Sequence, residues 1–137
     1  MNESIFIDTS AWLALANKRD FWHKEAKNIR QELINNNCSF LVSDYVICEI
    51  ANSLSRVQFR KLAVNLIESI LSSKEIKLIR INQELFDESW LLYKHRIDKE
   101  WGLIDCTSFT IMSKYRISAA FTNDHHFEQA GFRILLK

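Results

Sequence analysis

Proline is absent from the 137 residues and glycine occurs only twice, at Gly102 and Gly131. So little turn material leaves no room for long hinges or interdomain linkers, and the expectation is one domain over residues 1–137. Cysteine is sparse as well. Cys38, Cys48 and Cys106 are odd in number and lack a C-x-x-C spacing, which argues against a disulfide framework or a zinc knuckle and leaves buried, reduced thiols as the expectation. No run approaches the roughly 20 apolar residues of a membrane span, and MNESIFIDTS lacks the basic region and apolar core of a secretory leader. A cytoplasmic protein without a membrane partner is therefore expected. Charge of one sign is missing too: 18 Lys and Arg face 17 Asp and Glu, a net +1, so any nucleic-acid contact has to come from local patches. What is present is core material, with 47% hydrophobic residues, four Trp and nine Phe, enough for an ordinary globular interior.

Along the chain, short apolar runs alternate with helical periods. SIFI (Ser4 to Ile7), SFLVS (Ser39 to Ser43), EIKLIRI (Glu75 to Ile81), ISAAF (Ile117 to Phe121) and FRILL (Phe132 to Leu136) read as strands. Between the first two stand DTSAWLALAN, where Ser10 is a candidate cap, and FWHKEAKNIRQELINNN, which the Asn35-Asn36-Asn37 cluster ends. Ser43 is placed to cap a helix from Asp44 to about Arg56, with Val46, Ile50 and Leu54 or Val57 as its apolar stripe. FRKLAVNLIESILSS continues helically. Asn82 opens a long helix with Leu85, Phe86, Trp90, Leu91 and Tyr93 as its apolar positions, and Gly102 precedes LIDCTSFTIMSKY, with Phe109, Met112 and Tyr115 facing inward. NDHHFEQA reads as a short helix. Strands separated by helices predict a mainly parallel sheet covered on both faces, and such sheets gather functional residues at the carboxyl ends of their strands.

Four acids fall on or near that edge. Asp8 follows SIFI directly, Asp124 follows ISAAF after two residues, and Asp105 lies at the start of a helix just past Gly102. Glu49 is the odd one: in VICEIANSL it borders the apolar stripe, on the face carrying Asn52, Ser53 and Arg56. Each acid alone reads equally well as a helix cap or a locally paired side chain. Together they would repel one another and raise their own pKa values unless a cation neutralises them. Oxygen donors favour Mg²⁺ or Mn²⁺ over zinc, and such ions usually keep waters and substrate phosphate oxygens as further ligands. The implied reaction is hydrolysis of a phosphodiester by metal-activated water.

FIDTSAW at Asp8, ICEIANSL at Glu49, LIDCTSF at Asp105 and AFTNDHHFEQAGF at Asp124, in that order over nearly the whole chain, resemble the PIN-domain ribonucleases, above all the VapC-like toxins of prokaryotic toxin–antitoxin pairs. The resemblance implies a three-layer α/β/α fold and a Mg²⁺- or Mn²⁺-dependent endonuclease acting on RNA. It also implies a homodimer, a cognate antitoxin as partner, and Asp8, Glu49, Asp105 and Asp124 as the catalytic and metal-holding acids. Thr9, Ser10 and Thr122 stand where the family commonly has hydroxyls and are candidates for supporting the acids, although capping and turn bonding would use them equally.

The pair His125-His126 is not demanded by that pattern; one of the two, His125 first, is a candidate to contact phosphate or orient the last acid, and neighbouring histidines without further spaced ligands do not make a zinc site. Arg56, Arg60 and Lys61 are candidates for gripping RNA. Lys18, Arg19, His23, Lys24, Lys27 and Arg30 form a second basic group, diluted by Asp20, Glu25 and Glu32 and equally readable as a solvated helix face. Phe59, Leu62, Leu66 and Ile70, with Ile47, could line a groove for a partner helix or simply fill the core. The competing functional reading is a catalytically inactive PIN-like RNA-binding or scaffold domain whose acids only cap helices. A phosphatase is disfavoured because DTS at Asp8 is not D-x-D, and a nucleotide binder because no Gly-rich loop exists. The RNA and its cleavage site are not legible in the sequence.

Overall fold

The computed structural model describes residues 2–137. Chain order is β1 (Ser4–Ile7), α1 (Thr9–Ala16), α2 (His23–Asn35), β2 (Ser39–Ser43), α3 (Asp44–Ser53), α4 (Val57–Ser72), β3 (Ile76–Ile79), α5 (Gln83–His95), α6 (Leu103–Lys114), β4 (Ala119–Phe121), α7 (His126–Gln129) and β5 (Arg133–Ile134). The five strands form one sheet in the order β3-β2-β1-β4-β5, and every neighbouring pair is parallel.

Parallel strands are joined almost always by right-handed crossovers, and that rule sets the layering. The chain steps from β1 to β2 to β3 in one direction, then returns across the sheet to β4 and β5, so the helices of the two halves fall on opposite faces. Packing agrees with this: α1 meets α2 and α3, and α3 meets α4, while α5 packs on α6 and α6 on α7. The result is the expected three-layer α/β/α arrangement. With both faces covered, β1 is buried along Ile5, Phe6 and Ile7, and β4 along Ala119, Ala120 and Phe121.

Local chemistry explains several boundaries. The Ser43 side chain accepts the Val46 N–H at 3.1 Å and so caps α3, and Asn82 caps α5 by accepting the Leu85 N–H at 2.9 Å. Asn37, with φ of 57°, ends the Asn cluster in the left-handed region, and Gly131, with φ of 96°, makes the turn from α7 to β5. The aromatic ring of Phe109 on α6 meets Trp101 edge-on at 5.0 Å and Phe127 of α7 at 4.9 Å, while Trp101 Nε1 donates to Gln129 Oε1 at 2.9 Å. These contacts tie α6, the segment before it and α7 into one unit at the sheet edge.

Several expectations are corrected. Ser10 does not cap α1; the helix begins at Thr9, with Asp8 in extended backbone as the cap residue and no side-chain cap bond. Helix α3 ends at Ser53 rather than Arg56, and Leu54 completes its stripe at 8% exposure whereas Val57 is 93% exposed. Tyr115 is exposed rather than inward, and three of the apolar positions of α5, Trp90, Leu91 and Tyr93, are exposed as well. Helix α5 instead buries Leu85 and Ser89, where the small Ser89 donates to Leu85 O at 2.7 Å and brings its Oγ within 3.1 Å of Thr110 Oγ1 on α6. FRILL is a regular strand only over Arg133–Ile134, although Leu135 and Leu136 N–H groups continue to donate to Ala120 and Thr122. The cysteines are free, but only Cys106 is buried; Cys38 is half-buried and Cys48 exposed.

Candidate active site

Because β1 and β4 are parallel neighbours with Ile7 opposite Phe121, the residues after each strand emerge side by side. The direction of chain progression reverses across this pair, which makes it the switch point of the sheet, where α/β folds open a crevice outside the strand ends. The Asp8 N–H donates to Phe121 O at 3.1 Å and locks the two backbones together at the rim.

Asp8 is the buried side of the crevice, 5% exposed. Thr122 Oγ1 donates to Asp8 Oδ2 at 2.8 Å and stands 2.9 Å from Ser10 Oγ. Since a hydroxyl carries one proton, Thr122 spends its own on Asp8 and Ser10 donates to Thr122. Ser10 Oγ accepts the Asn123 N–H at 3.1 Å, and Thr122 Oγ1 accepts the Asp124 N–H at 3.0 Å. The two hydroxyls thus join the loop after β4 to the start of α1. On the other side, Thr9 Oγ1 donates to Glu49 Oε1, bringing the half-buried acid of α3 to the same rim.

The open side is formed by α6 and the loop entering α7. Asp105 Oδ2 accepts the Gly102 N–H at 3.1 Å, and Asp124 Oδ1 accepts the His126 N–H at 2.9 Å. Both acids therefore do the capping work that their positions suggest, and both still turn toward one point. His126 Nδ1 lies 3.3 Å from Asp105 Oδ2 and 3.4 Å from Asp124 Oδ1. One donor atom from each of Asp105, Asp124 and His126 lies within 4.8 Å of the others, a grouping able to hold a metal ion.

Burial raises the Asp8 carboxyl to about 7, and the nearby Glu49 and Asp105 charges add to that rise against the bonds from Thr122 and the Thr9 N–H. Asp105 is also pushed up, first by burial and then by the Asp124 charge, while the Gly102 N–H and His126 oppose the shift. Burial and neighbouring negative charge thus disfavour the ionised forms of Asp8 and Asp105. A donor set of carboxylates with one imidazole suits a divalent cation that would relieve this repulsion.

The sequence expectation of four acids at one edge is met unevenly. Asp105 and Asp124 converge directly on His126, Asp8 feels the charges of Glu49 and Asp105, and Glu49 arrives through Thr9. Thr9, Ser10 and Thr122 all lie at the rim. His125 is exposed, with its ring centre 4.8 Å from that of His126. His126, to which the sequence pattern assigns no role, is the histidine that meets the acids. Arg56, Arg60 and Lys61 are exposed at the α3–α4 junction, where Arg60 donates to Ser55 O at 3.0 Å. Of the candidate groove residues, Ile70 is buried while Phe59, Leu66 and Ile47 pack partly against the core; only Ile70 among them lines the cleft of about 730 Å³ bordered by α1, α2 and α4.

The PIN domain family model matches residues 5–133. VapC20 of Mycobacterium tuberculosis, described as a 23S rRNA-specific endonuclease, is 30% identical over 128 residues, covering 93% of this chain and 95% of its own. The crystal structure of that Sarcin-Ricin loop cleaving toxin superposes with a TM-score of 0.84 at 28% identity, over 93% of this chain and 95% of the other. A chain in the structure of VapBC2 from Rickettsia felis bound to a DNA fragment from their promoter shares the fold, with a TM-score of 0.72 at 15% identity over 96% of this chain and 97% of the other. No described helix is long and apolar enough to cross a membrane. The acids in order, the parallel sheet that gathers them and the match over almost the whole chain lead to one conclusion: this chain belongs to the PIN-domain family, as a VapC-like nuclease.

Proposed function

We propose that the protein is an endoribonuclease that hydrolyses RNA phosphodiester bonds with Mg²⁺ or Mn²⁺, as the toxin of a toxin–antitoxin pair, and that residues 1–137 act as one PIN-like domain. The observation that carries this reading is the convergence of Asp105, Asp124 and His126 beside a buried Asp8 and a Glu49 held by Thr9. The relatives support the substrate class, since VapC20 is described as acting on 23S rRNA.

In this reading Asp8, Glu49, Asp105 and Asp124 hold the metal, and their chemistry fits a hard divalent cation that keeps sites for water and phosphate oxygen. When bound, the cation supplies Lewis acidity and a more acidic water. The chain's own residues do the rest. Thr122 and Ser10 fix the orientation of Asp8, and Thr9 fixes Glu49, so the carboxylates need not reorganise as charge develops at phosphorus. The closed side of the crevice behind Asp8 keeps water from that flank. RNA enters from the open side, with Arg56, Arg60 and Lys61 as candidate phosphate contacts. An antitoxin partner and a homodimer complete the proposal, with the α1–α2–α4 cleft available to a partner segment.

The alternative, a binding or scaffold domain, has one observation in its favour: Asp105 and Asp124 are each already used as local caps. RNA cleavage by wild type and Asp105→Asn on a mixed transfer and ribosomal RNA pool, with Mg²⁺, Mn²⁺ or EDTA, separates the two. Cleavage that requires metal and disappears in the variant is expected. No cleavage together with no divalent binding by calorimetry would leave the scaffold reading.

A further inference from the structure

We propose that His126 is a direct metal ligand of this site, so that the centre has a mixed nitrogen and oxygen donor set and prefers Mn²⁺ to Mg²⁺. This inference rests on the nuclease reading above and deepens it by naming the ligand that selects the metal.

Position is the first observation. The His126 ring is partly enclosed, 24% exposed, and Nδ1 is the nitrogen turned inward, toward Asp105 and Asp124 whose side chains are 17% and 28% exposed. Two consecutive anchors fix that orientation. The His126 backbone N–H is held by Asp124 Oδ1, and the next residue, Phe127, is fully buried against Phe109 of the same helix that carries Asp105. A ring on a free loop could turn away; this one is braced from both sides.

Distance is the second. An N–H···O bond has its heavy atoms about 2.7–3.2 Å apart, whereas Nδ1 stands 3.3 Å from one carboxylate and 3.4 Å from the other. One Nδ1 proton serves neither acceptor well and cannot serve both. Adjacent donors around an octahedral Mg²⁺ or Mn²⁺ are about 3 Å apart, so Nδ1 stands from each carboxylate oxygen at nearly the spacing of neighbouring ligands of one ion, and the three donor atoms all lie within 4.8 Å of one another. With its proton on Nε2, the imidazole would offer the Nδ1 lone pair to the same point as the two carboxylate oxygens.

Selectivity is then a matter of donor type. Mg²⁺ is hard, prefers oxygen and sheds water reluctantly; imidazole nitrogen suits the first-row transition ions, and Mn²⁺, although it shares the oxygen preference of Mg²⁺, stands at the foot of that series and takes a nitrogen donor the more readily of the two. A site of carboxylates alone discriminates between these ions less than one with a nitrogen in the shell.

The test is pulsed electron paramagnetic resonance on the purified full chain loaded with one equivalent of Mn²⁺, with wild type prepared at natural abundance and with ¹⁵N-histidine. Titration calorimetry with Mn²⁺ and with Mg²⁺ accompanies it, on wild type, His126→Ala and His125→Ala. The expected result is a nitrogen modulation that changes on ¹⁵N-histidine labelling, persists in His125→Ala and vanishes in His126→Ala. The Mn²⁺-over-Mg²⁺ affinity ratio should fall about tenfold or more in His126→Ala. Because labelling acts on wild type, misfolding of the variant cannot decide the outcome. Bound Mn²⁺ without nitrogen modulation would overturn the ligand role of His126 while leaving the acidic metal site standing. No Mn²⁺ binding at millimolar concentration would overturn both.

Discussion

Asp8 and Asp124 both stand after strands at the same sheet edge, yet they end in opposite surroundings. Asp8 lies buried at the end of the central strand, bonded by Thr122 beside the first turn of α1, whereas Asp124 is partly open beside Asp105 and His126. The difference originates in the connection that leaves each strand. Helix α1 starts one residue after Asp8 and leaves it no loop in which to swing out, while a loop of several residues separates β4 from α7. Position along a parallel sheet brings the residues to one edge; the length of the connection decides whether a carboxylate there becomes a fixed, desolvated anchor or a ligand open to solvent and substrate.

Replacing one acid on each side sharpens that contrast. On the open side, Asp105→Asn should reduce RNA cleavage by roughly 10²–10³-fold, the usual loss when a fixed electrostatic stabiliser is removed, as read from initial rates on a labelled RNA. On the closed side, Asp8 should govern stability. Its folded carboxyl is raised from 3.8 to about 7, so between those values the native state holds a proton that the unfolded chain has released. Metal-free stability therefore falls as pH rises through that window and is level above it. Asp8→Asn removes this dependence and, in EDTA, should gain on wild type by up to about 4 kcal/mol between about pH 4 and about pH 8. Urea unfolding at the two pH values checks it, and an unchanged difference would show that Asp8 is better solvated than its burial implies.

Thr122→Val should have a smaller effect. It removes the donor to Asp8 Oδ2 and the acceptor of the Asp124 N–H, which should destabilise the fold by about 1–3 kcal/mol in urea unfolding. The smallest effect belongs outside the rim. Arg60→Ala should lower the slope of log affinity against log salt by about 0.7 for a single-stranded RNA if its charge meets phosphate, and leave unfolding unchanged.

The parts of this fold that sequence reading recovers are those governed by pattern: buried strands, Ser43 and Asn82 as caps, and acids directly after strands. It fails where the answer depends on the phase of a neighbouring element. Adjacent residues on a helix point about 100° apart, so which of His125 and His126 meets the acids is settled by Phe127 docking on Phe109, a contact between distant segments. Hydrophobicity alone turns Trp90, Leu91 and Tyr93 inward, but α5 presents its small Ser89 to α6 instead. Burial of Asp8 is also a tertiary fact, created by Thr122 arriving from the far end of the chain.

That arrival has a temporal meaning. Asp8 and Thr122 are separated by 114 positions, and the neighbour that β1 needs on this side, β4, comes about 40 residues of helix and loop after β3. A ribosome that has released only the first three strands has made Asp8 and Glu49, but not Thr122, Asp124 or His126. The strand order thus delays assembly of the crevice until β4 and the loop after it have been made, so that a nascent chain holding only the first three strands has no complete site to turn on RNA.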